Sequence, residues 1–502
     1  MKKNIFRTLA LAAFLFAGSN GVMAQQKTYE VPPLNPEWKV MADEVIQLNM
    51  EDPEKANKSF MKLIKKIQKN KEDLVAVGTY FLDNNNYPAA NQCAKSLEQY
   101  SEYIPGLMFS GEVCMKRHDW GGAGQKFDAV LLVDSNNVAA MKRNAFVYKN
   151  VNPHVAIDML NRIKNVEPEN TDADKELGDI YYKLDQYKDA ISYYDTYYKS
   201  VPKDTTHLDI RSCENYLMSL YSMAATDENN FNRITEVVNE VLPLAPTDLV
   251  IRRMDFFAKV NKISSAMDYD GAVAAADAAA AYLTDSQYAD SLFLSLDYEY
   301  AASLAKEKGQ TADAITYFQK ALEKDATKLA NYKELAKLYS QNKEADKAIE
   351  TYKLYMEKRG DKVDLTDYWG LGLEYAKASR ITTDPAQKAA YVEAGDAAFN
   401  KVLEKEPDYY KAVMQQAALH IDDSTKPEEK PKELYEKALG MMKEDDASAN
   451  PYRLLAAQYL AFYYSQKEDF DTCRTYVNIM LKADPESESA KRFDEALKSM
   501  DK

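Results

Sequence analysis

The sequence has little of what a disulfide-stapled or turn-rich β protein needs. Its 502 residues include only 4 cysteines, 16 glycines and 17 prolines. So few turn-forming residues favour long helices over many short strands. The chain is also too long for one hydrophobic core, so we expect several units that bury surface against their neighbours.

Residues that carry enzymatic chemistry are scarce as well. The four histidines show no pair at the spacing of metal ligands, and no serine or cysteine sits in a nucleophile turn. "DWGGAG", from Asp119, lacks the Lys-Ser/Thr of a phosphate loop and is interpreted as a turn between helices. We therefore predict no catalytic residue, no metal and no cofactor. The histidines are interpreted as isolated: His118, His154, His207 and His420.

The first residues predict a cleavable export signal. Lys2, Lys3 and Arg7 precede an apolar run and the small residues Val22-Met23-Ala24. We expect a signal peptide over 1–24, a tail over 25–36 and a protein that is periplasmic or secreted. No cysteine lies near the cut, so we expect that the protein is not a lipoprotein. No later apolar run reaches the roughly 18 residues of a membrane span.

Acidic residues outnumber basic ones. Removing the signal peptide leaves 61 basic and 79 acidic residues, a net charge of −18. Such a surface repels nucleic acid, and the basic stretch 62–71 has apolar residues at helical spacing, which indicates a solvated helix face. For Cys93 and Cys114, in consecutive predicted helices, two alternatives stay open: a disulfide or two separate buried thiols.

Small residues recur at a fixed interval. Ala56, Ala90, Ala123, Ala156 and Ala190 are 34, 33, 33 and 34 residues apart. In the unit around Ala190, Leu177-Gly178 and Tyr181 form one helical stripe, and Ala190, Tyr194 and Tyr197 form a second. Each period therefore predicts two helices joined by a turn, with the small residues Gly178 and Ala190 where the two helices cross. Stacked neighbours must bury the stripes.

These spacings resemble the tetratricopeptide repeat family, whose unit of 34 residues is a helix–turn–helix. The resemblance is strong over 171–204, 295–328 and 329–362, looser over 37–170, 365–408 and 454–487, and poor over 205–290. It implies an all-α fold: a right-handed α-solenoid of about 11–12 helical hairpins with a C-terminal capping helix. Its inner groove would hold peptides or protein segments.

The spacing also divides the chain. We predict a front repeat block over 37–204, irregular helical hairpins over 205–290, and a rear block over 291–486. Insertions interrupt the rear block near 379–390 and 422–432, and we interpret them as surface segments. A capping helix over 487–502 ends the predicted stack.

Tyrosine is abundant, with seven residues between Leu177 and Pro202. Tyr181, Tyr187, Tyr194 and Tyr197 hold repeat positions and are expected to pack. The other three, which lie off the stripes, remain candidates for contact with a partner: Tyr182, Tyr193 and Tyr198.

The resemblance implies that a second stripe on the first helix of each hairpin lines the groove. The Lys-Asn pattern with which some family members clamp a carboxylate terminus is absent. Two alternatives stay open: these residues bind an extended segment with apolar anchors, or they fill a narrow interior. The predicted groove residues are Met108, Glu112, Met115, Lys175, Asp179, Tyr182, Lys333, Lys337, Trp369 and Leu373.

The leading hypothesis is a non-enzymatic exported scaffold that binds a protein or peptide partner, in a cell-envelope assembly or a secretion complex. The alternative is a glycan- or small-molecule-binding protein, since aromatic faces stack on sugars. A third hypothesis is a passive spacer with contacts on its outer faces. The sequence predicts no oligomeric state.

Overall fold

Asparagine and aspartate residues mark the beginnings of many helices. The computed structural model describes residues 29–422 and 425–500, so the predicted signal peptide lies outside the described residues. The side chains of Asn70, Asn137 and Asn170 accept hydrogen bonds from backbone N–H groups of the helices that follow them. These caps satisfy first-turn donors that have no partner within the helix.

The described residues form 25 α-helices and no strand, which confirms the all-α fold class. A first compact unit runs through Ala258. It holds α1 (Pro36–Glu51), α2 (Pro53–Ile67), α3 (Lys71–Asp83), α4 (Tyr87–Leu97), α5 (Ile104–Lys116), α6 (Trp120–Val133), α7 (Val138–Tyr148), α8 (Pro153–Val166), α9 (Thr171–Lys183), α10 (Tyr187–Ser200), α11 (Ile210–Met223) and α12 (Asn230–Val241).

The second compact unit begins at Lys259, inside α13 (Leu249–Lys262). The division thus falls within the segment 205–290, where the repeat spacing fails. The second unit continues with α14 (Tyr269–Ala279), α15 (Ser295–Glu307), α16 (Thr311–Lys324), α17 (Leu329–Gln341), α18 (Ala345–Arg359), α19 (Leu365–Ile381), α20 (Pro385–Lys405), α21 (Tyr410–Leu419), α22 (Glu429–Met441), α23 (Asn450–Gln466), α24 (Phe470–Ala483) and α25 (Glu488–Met500).

Helices pack as successive hairpins within each unit. Among the described residues, consecutive helices form eleven packed hairpins. Six lie in the first unit, from α1–α2 to α11–α12, and five lie in the second, from α15–α16 to α23–α24. The first helices of adjacent hairpins also contact each other: α9 contacts α11, and α17 contacts α19. This stacking confirms the predicted solenoid. The closing helix α25 buries Ala490 and Leu497, which confirms the capping helix for its described residues.

Glycines, which have no side chain, let the two helices of a hairpin approach each other closely. A Cβ added at Gly178 would lie 2.6 Å from the ring of Tyr194, and one at Gly372 would lie 2.6 Å from Phe399. Such distances leave no room for a methyl group, so glycine permits these crossings. This agrees with the prediction that Gly178 sits where the helices cross.

The turns inside regular hairpins share one backbone conformation. The middle residue of the turn is left-handed, with φ of 57° at Asp185, 62° at Lys343 and 69° at Gly309. Only glycine adopts this region without steric cost. Asn85, His118 and Glu468 occupy the same place in three further hairpins.

The insertion predicted near 379–390 lengthens two helices, and most of its residues are exposed. α19 continues to Ile381 and α20 begins at Pro385, so only 382–384 lie outside helices. Ser379 is buried. The second insertion contains the connection between α21 and α22, of which 423–424 lie outside the described residues.

The predicted tail also contributes to packing. Tyr29 lies against the first core cluster, and its hydroxyl is 3.0 Å from Oγ1 of Thr79. All four cysteines are free, so Cys93 and Cys114 form no disulfide. Burial raises the pKa of the Cys93 thiol to about 12, which keeps it protonated and unreactive at neutral pH.

Candidate functional site

A ladder of polar contacts joins the first helices of adjacent hairpins in the first unit. Glu112 of α5 lies 2.5 Å from Nε of Arg143 in α7, and Lys175 of α9 lies 3.5 Å from Asp209, the cap of α11. Between them, Lys149, which follows the last residue of α7, reaches Glu176 of α9 at 3.5 Å. These helices are therefore tied together across the face where the groove was predicted.

The second unit repeats this ladder. Asn331 of α17 donates to Glu299 of α15 at 3.0 Å. Lys333 of α17 pairs with Asp367 of α19 at 3.2 Å, and its ammonium stands 4.5 Å from the centre of the Tyr355 ring. Asp367 is fully buried, and it also accepts from Tyr355 at 2.8 Å and from Arg359. A carboxylate buried in this way needs several donors to offset its desolvation.

All the predicted groove residues except Met108 leave part of their side chain open. Lys337 is exposed, and 40% of the Lys333 side chain is accessible. Met115, Tyr182 and Leu373 are half-buried. Lys333, Lys337 and Leu373 belong to the second unit, and we call these three residues, with Trp369, the first-helix surface.

Of the remaining predicted residues, Met108 is buried, whereas Glu112, Lys175 and Asp179 are half-buried and bonded to neighbouring helices. Met108 is only 1% exposed and packs with Ala123 and Phe127, so the prediction that it lines the groove is wrong. The Met108 side chain points into the core, because this position of α5 faces the partner helix α6. Asp179 accepts hydrogen bonds from Tyr194 at 2.7 Å and from Asn215 at 3.0 Å.

Trp369 is half-buried between aromatic neighbours. Its ring stands edge-on to Phe399 and Tyr409, with centroids 5.4 and 5.6 Å away. Such edge-to-face contacts hold the indole against the hairpin. This arrangement leaves less of the ring available for a sugar than a free-standing tryptophan would.

Tyrosine hydroxyls bond to carboxylates on neighbouring helices, which explains why tyrosine outnumbers phenylalanine 36 to 17. Tyr194 is fully buried against Asp179, and Tyr464 donates to Glu436 at 2.6 Å. The candidate contact residues Tyr193 and Tyr198 are also engaged internally. The Tyr193 ring stacks 5.4 Å from Tyr181, and the Tyr198 hydroxyl donates to Glu240 at 2.6 Å.

A cavity of about 530 Å³ opens between α9, α10 and the connection 201–209. Its walls include Asp172, Lys175, Tyr197 and His207. The Tyr197 hydroxyl accepts from the backbone N–H of Asp209 at 2.9 Å, which fixes the connection. The cavity is polar and carries both charges, so it suits a ligand with hydrogen-bonding groups.

Burial shapes the electrostatics beside this cavity. It raises the pKa of Asp179 above its ordinary value. Burial, followed by a hydrogen bond to Asp248, raises the pKa of Glu214 on α11 to about 8. Burial disfavours the charged form of a carboxyl, so these two groups keep their protons to a higher pH than exposed carboxyls do.

Two histidines that sequence analysis interpreted as isolated have carboxylate partners. Nδ1 of His207 lies 2.9 Å from both oxygens of Asp204, and Nε2 of His420 lies 2.6 Å from Oδ2 of Asp396. The described residues contain no group of three or more ligands that could hold a metal. Only the pair His207–Asp204, three residues apart, could have been found from spacing.

Family models for the tetratricopeptide repeat match two segments of the chain, residues 148–205 and 305–372. Both segments fold as stacked helical hairpins, with α9–α10 in one and α17–α18 in the other. The chain contains tetratricopeptide repeats. Proteins of this kind generally act as non-catalytic scaffolds for protein–protein interaction. A search of curated protein sequences found no match.

Solved structures of other tetratricopeptide repeat proteins are similar to this one. The C-terminal part of one from Cytophaga hutchinsonii is 21% identical, with a TM-score of 0.42, and the match covers 55% of this chain and 98% of that one. A protein from Parabacteroides merdae is 16% identical, with a TM-score of 0.33 and coverages of 54% and 98%. YrrB, described as having an unusual peptide-binding site, is 16% identical, with a TM-score of 0.32 and coverages of 38% and 95%.

No helix among the described residues is both long and apolar enough to cross a membrane.

Proposed function

We propose that this tetratricopeptide repeat protein binds an extended segment of a protein partner along its first-helix surface. The observation that carries the proposal lies on α17 and α19 of the second unit. Lys337 is exposed and Lys333 is partly open, one helical turn apart, while Leu373 and Trp369 are half-buried on the neighbouring helix. Cationic and apolar groups side by side suit a segment that carries acidic and apolar residues.

The ladder supports this proposal because it makes the surface rigid before a partner arrives. Lys306 of α15 holds Glu334 of α17 at 2.6 Å, and Lys333 holds Asp367 of α19 at 3.2 Å. A surface whose helices are already fixed loses little conformational entropy when it binds. We further propose that binding takes place outside the cytoplasm, in a cell-envelope assembly or secretion complex, on the strength of the N-terminal export pattern.

Site-specific cross-linking tests the surface. A photoreactive phenylalanine analogue replaces Lys337 on α17 or, as the matched control, the exposed Glu350 on α18 of the same hairpin. In the native cells we expect a discrete protein adduct from position 337 and none from position 350, identified by mass spectrometry. Adducts of the same partner from both positions, or from 350 alone, would reject the first-helix surface as the binding face.

The location is tested separately, by the mass of the protein in cell fractions. We expect a chain that begins at Gln25, recovered from the periplasm or the medium. A full-length chain confined to the cytoplasm would contradict export and would leave the cross-linking result standing.

A further inference from the structure

The residues that precede α1 lie on the first unit without forming a helix or a strand. Residues 29–35 read Tyr-Glu-Val-Pro-Pro-Leu-Asn, and we call them the tail segment. Each proline fixes its own φ and also favours an extended conformation of the residue before it, so Val31, Pro32 and Pro33 are held extended. Asn35 has φ of −61° and ψ of 131°, close to the polyproline II helix.

The exposure of the tail segment follows the period of a polyproline II helix. Glu30 and Pro33, three residues apart, are exposed, whereas Val31, Pro32 and Leu34 are half-buried. A polyproline II helix repeats every three residues, so one edge faces solvent while the rest contacts the protein. Leu34 packs against the core cluster formed by α1 to α5. The tail segment therefore contacts the protein as a bound extended peptide does.

Tyr29 anchors the tail segment. Its ring packs against two core clusters, the one formed by α1 to α5 and the one formed by α5 to α7. Its hydroxyl lies 3.0 Å from Oγ1 of Thr79, which is buried on α3. Burial raises the pKa of the Tyr29 phenol, the hydrogen bond with Thr79 lowers it, and the nearby carboxylate of Glu112 on α5 raises it further.

The tail segment covers the face on which the groove was predicted. Thr79 and Glu112 are 33 residues apart, as are the repeat alanines Ala90 and Ala123 of the same two hairpins. Thr79 therefore holds on α3 the position that Glu112, a predicted groove residue, holds on α5. Met115, one turn further along α5, packs against the same cluster as Tyr29. The chain's own tail thus lies where a partner's segment was expected.

The tail segment can leave without dismantling the surface beneath it. Among the described residues, no backbone hydrogen bond joins 29–34 to the rest of the protein, so side chains alone hold this stretch. The first helices below it are held by other contacts, since α3 packs against α5 and Glu112 of α5 pairs with Arg143 of α7 at 2.5 Å. Another segment with similar side chains could therefore take its place.

We propose that the tail segment is an internal ligand, bound to a peptide site formed by α3 and α5. Once the tail leaves, this site takes a partner's segment of the same kind, with a tyrosine followed by apolar residues and prolines. The site offers the buried Thr79 hydroxyl to the phenol and apolar surface to the residues after it. Prolines keep such a segment extended in advance, so it loses little conformational entropy on binding.

The tether to α1 makes the tail segment a strong competitor. A short flexible linker gives a bound segment an effective concentration of about 1 mM, so the site stays closed to weak ligands. Only a segment that binds more tightly than the tail opens it. This site lies in the first unit and is separate from the first-helix surface, so it goes beyond the proposed function.

Fluorescence anisotropy tests the competition on the mature chain, residues 25–502. The probe is a labelled peptide with the tail's own sequence, acetyl-Tyr-Glu-Val-Pro-Pro-Leu-Asn. The unchanged chain should bind the probe weakly, because its own tail occupies the site. Tyr29→Ala removes the anchor of the tail, so we expect this variant to bind the probe about tenfold more tightly. Tyr100→Ala, which removes another half-buried tyrosine from the same cluster, should leave the affinity unchanged.

The hydroxyl contact is tested in the Tyr29→Ala chain. A probe with phenylalanine in place of its tyrosine should bind about fivefold more weakly, since it lacks one hydrogen bond. Adding Thr79→Val should remove this difference between the two probes, whereas adding Thr235→Val, on α12 of the same unit, should keep it. If Tyr29→Ala does not fold, Tyr29→Phe takes its place, with an expected gain in affinity of about threefold.

Three results would overturn the proposal. The first is equal affinity of the unchanged chain and the Tyr29→Ala chain for the probe. The second is equal affinity of the tyrosine and phenylalanine probes for the Tyr29→Ala chain. The third, from light scattering, is a dimer that becomes a monomer in Tyr29→Ala, which would show that the tail crosses to a second copy. None of these results bears on cross-linking from position 337.

Discussion

The regular hairpins α15–α18 and the interrupted hairpins α19–α22 solve the same packing problem differently. In the regular pair the connection 325–328 is four residues long, and polar contacts tie the first helices together. In the interrupted pair the added residues lengthen α19 and α20 beyond the repeat, and a cavity opens beside them. Hairpins with the regular repeat length thus pack closely against each other, and a departure from that length leaves a cavity between helices.

The first unit gives the same lesson. Connections of four residues, 134–137 and 167–170, join its regular hairpins. The longer connection 201–209 follows α10, and the cavity beside Lys175 lies against it. Each unit therefore has a cavity where the repeat period breaks.

Removing a buried carboxylate should cause the largest loss of stability, because it breaks the contact between the regular hairpin α17–α18 and α19. Asp367 is fully buried with Arg359, Lys333 and Tyr355 around it. Asp367→Ala leaves these donors unpaired, so we expect the free energy of unfolding to fall by about 3 kcal/mol, measured by chemical denaturation.

The matched change within the interrupted hairpins is Asp422→Ala. The Asp422 side chain is 67% exposed and pairs with Lys388 at 2.5 Å. Since exposed pairs contribute about 0–1 kcal/mol, we expect little change. Equal losses in the two variants would contradict the claim that the ladder, and not ion pairing in general, holds the hairpins.

Filling a helix crossing should have an intermediate effect. The methyl group of Gly178→Ala would meet the Tyr194 ring at 2.6 Å, so we expect a loss of about 2 kcal/mol from overpacking. Gly440 on α22 has no atom within 4 Å of an added Cβ. Gly440→Ala should therefore stabilise its helix by about 0.5–1 kcal/mol. Thermal unfolding of both variants measures the difference, and a loss in Gly440→Ala would show that the interrupted hairpins pack as tightly as the regular ones.

Exchanging turn residues should have the smallest effect and would sharpen the description of the regular hairpins. Gly309 and Lys343 hold equivalent left-handed positions, with φ of 69° and 62°. Gly309→Ala forces a side chain into that region, so we expect a loss of about 1 kcal/mol. Lys343→Gly removes the backbone strain at this position but increases the conformational entropy of the unfolded chain. The substitution should therefore be neutral or slightly stabilising. Melting temperatures that shift in the same direction would refute the shared turn geometry.

The sequence predicted the fold well because the repeat signal is local. Alanines at a constant interval, together with Gly178, indicated where helices cross. The structure has such a crossing at Gly178, against Tyr194. The site was less predictable. Met108 fits the stripe by spacing, yet its side chain turns into the core, since a small rotation of the helix decides which face a border residue takes.

One signal for the ladder is present in the sequence. Lys175 and Asp209, and likewise Lys333 and Asp367, are 34 residues apart, one full repeat. Opposite charges at that interval indicate contact between equivalent helices of neighbouring hairpins. Pairs outside the period, such as His420 with Asp396, 24 residues apart, carry no comparable signal.

By itself the sequence determined the helical hairpin, its length and the order of hairpins along the chain, because helix periodicity and small crossing residues are properties of nearby positions. The tertiary structure decided which polar groups meet, since the ladder and the Asp396–His420 pair join residues on separate helices. It also decided that the extra residues near 379–390 lengthen helices, because a helix continues wherever neighbouring helices cover its apolar face.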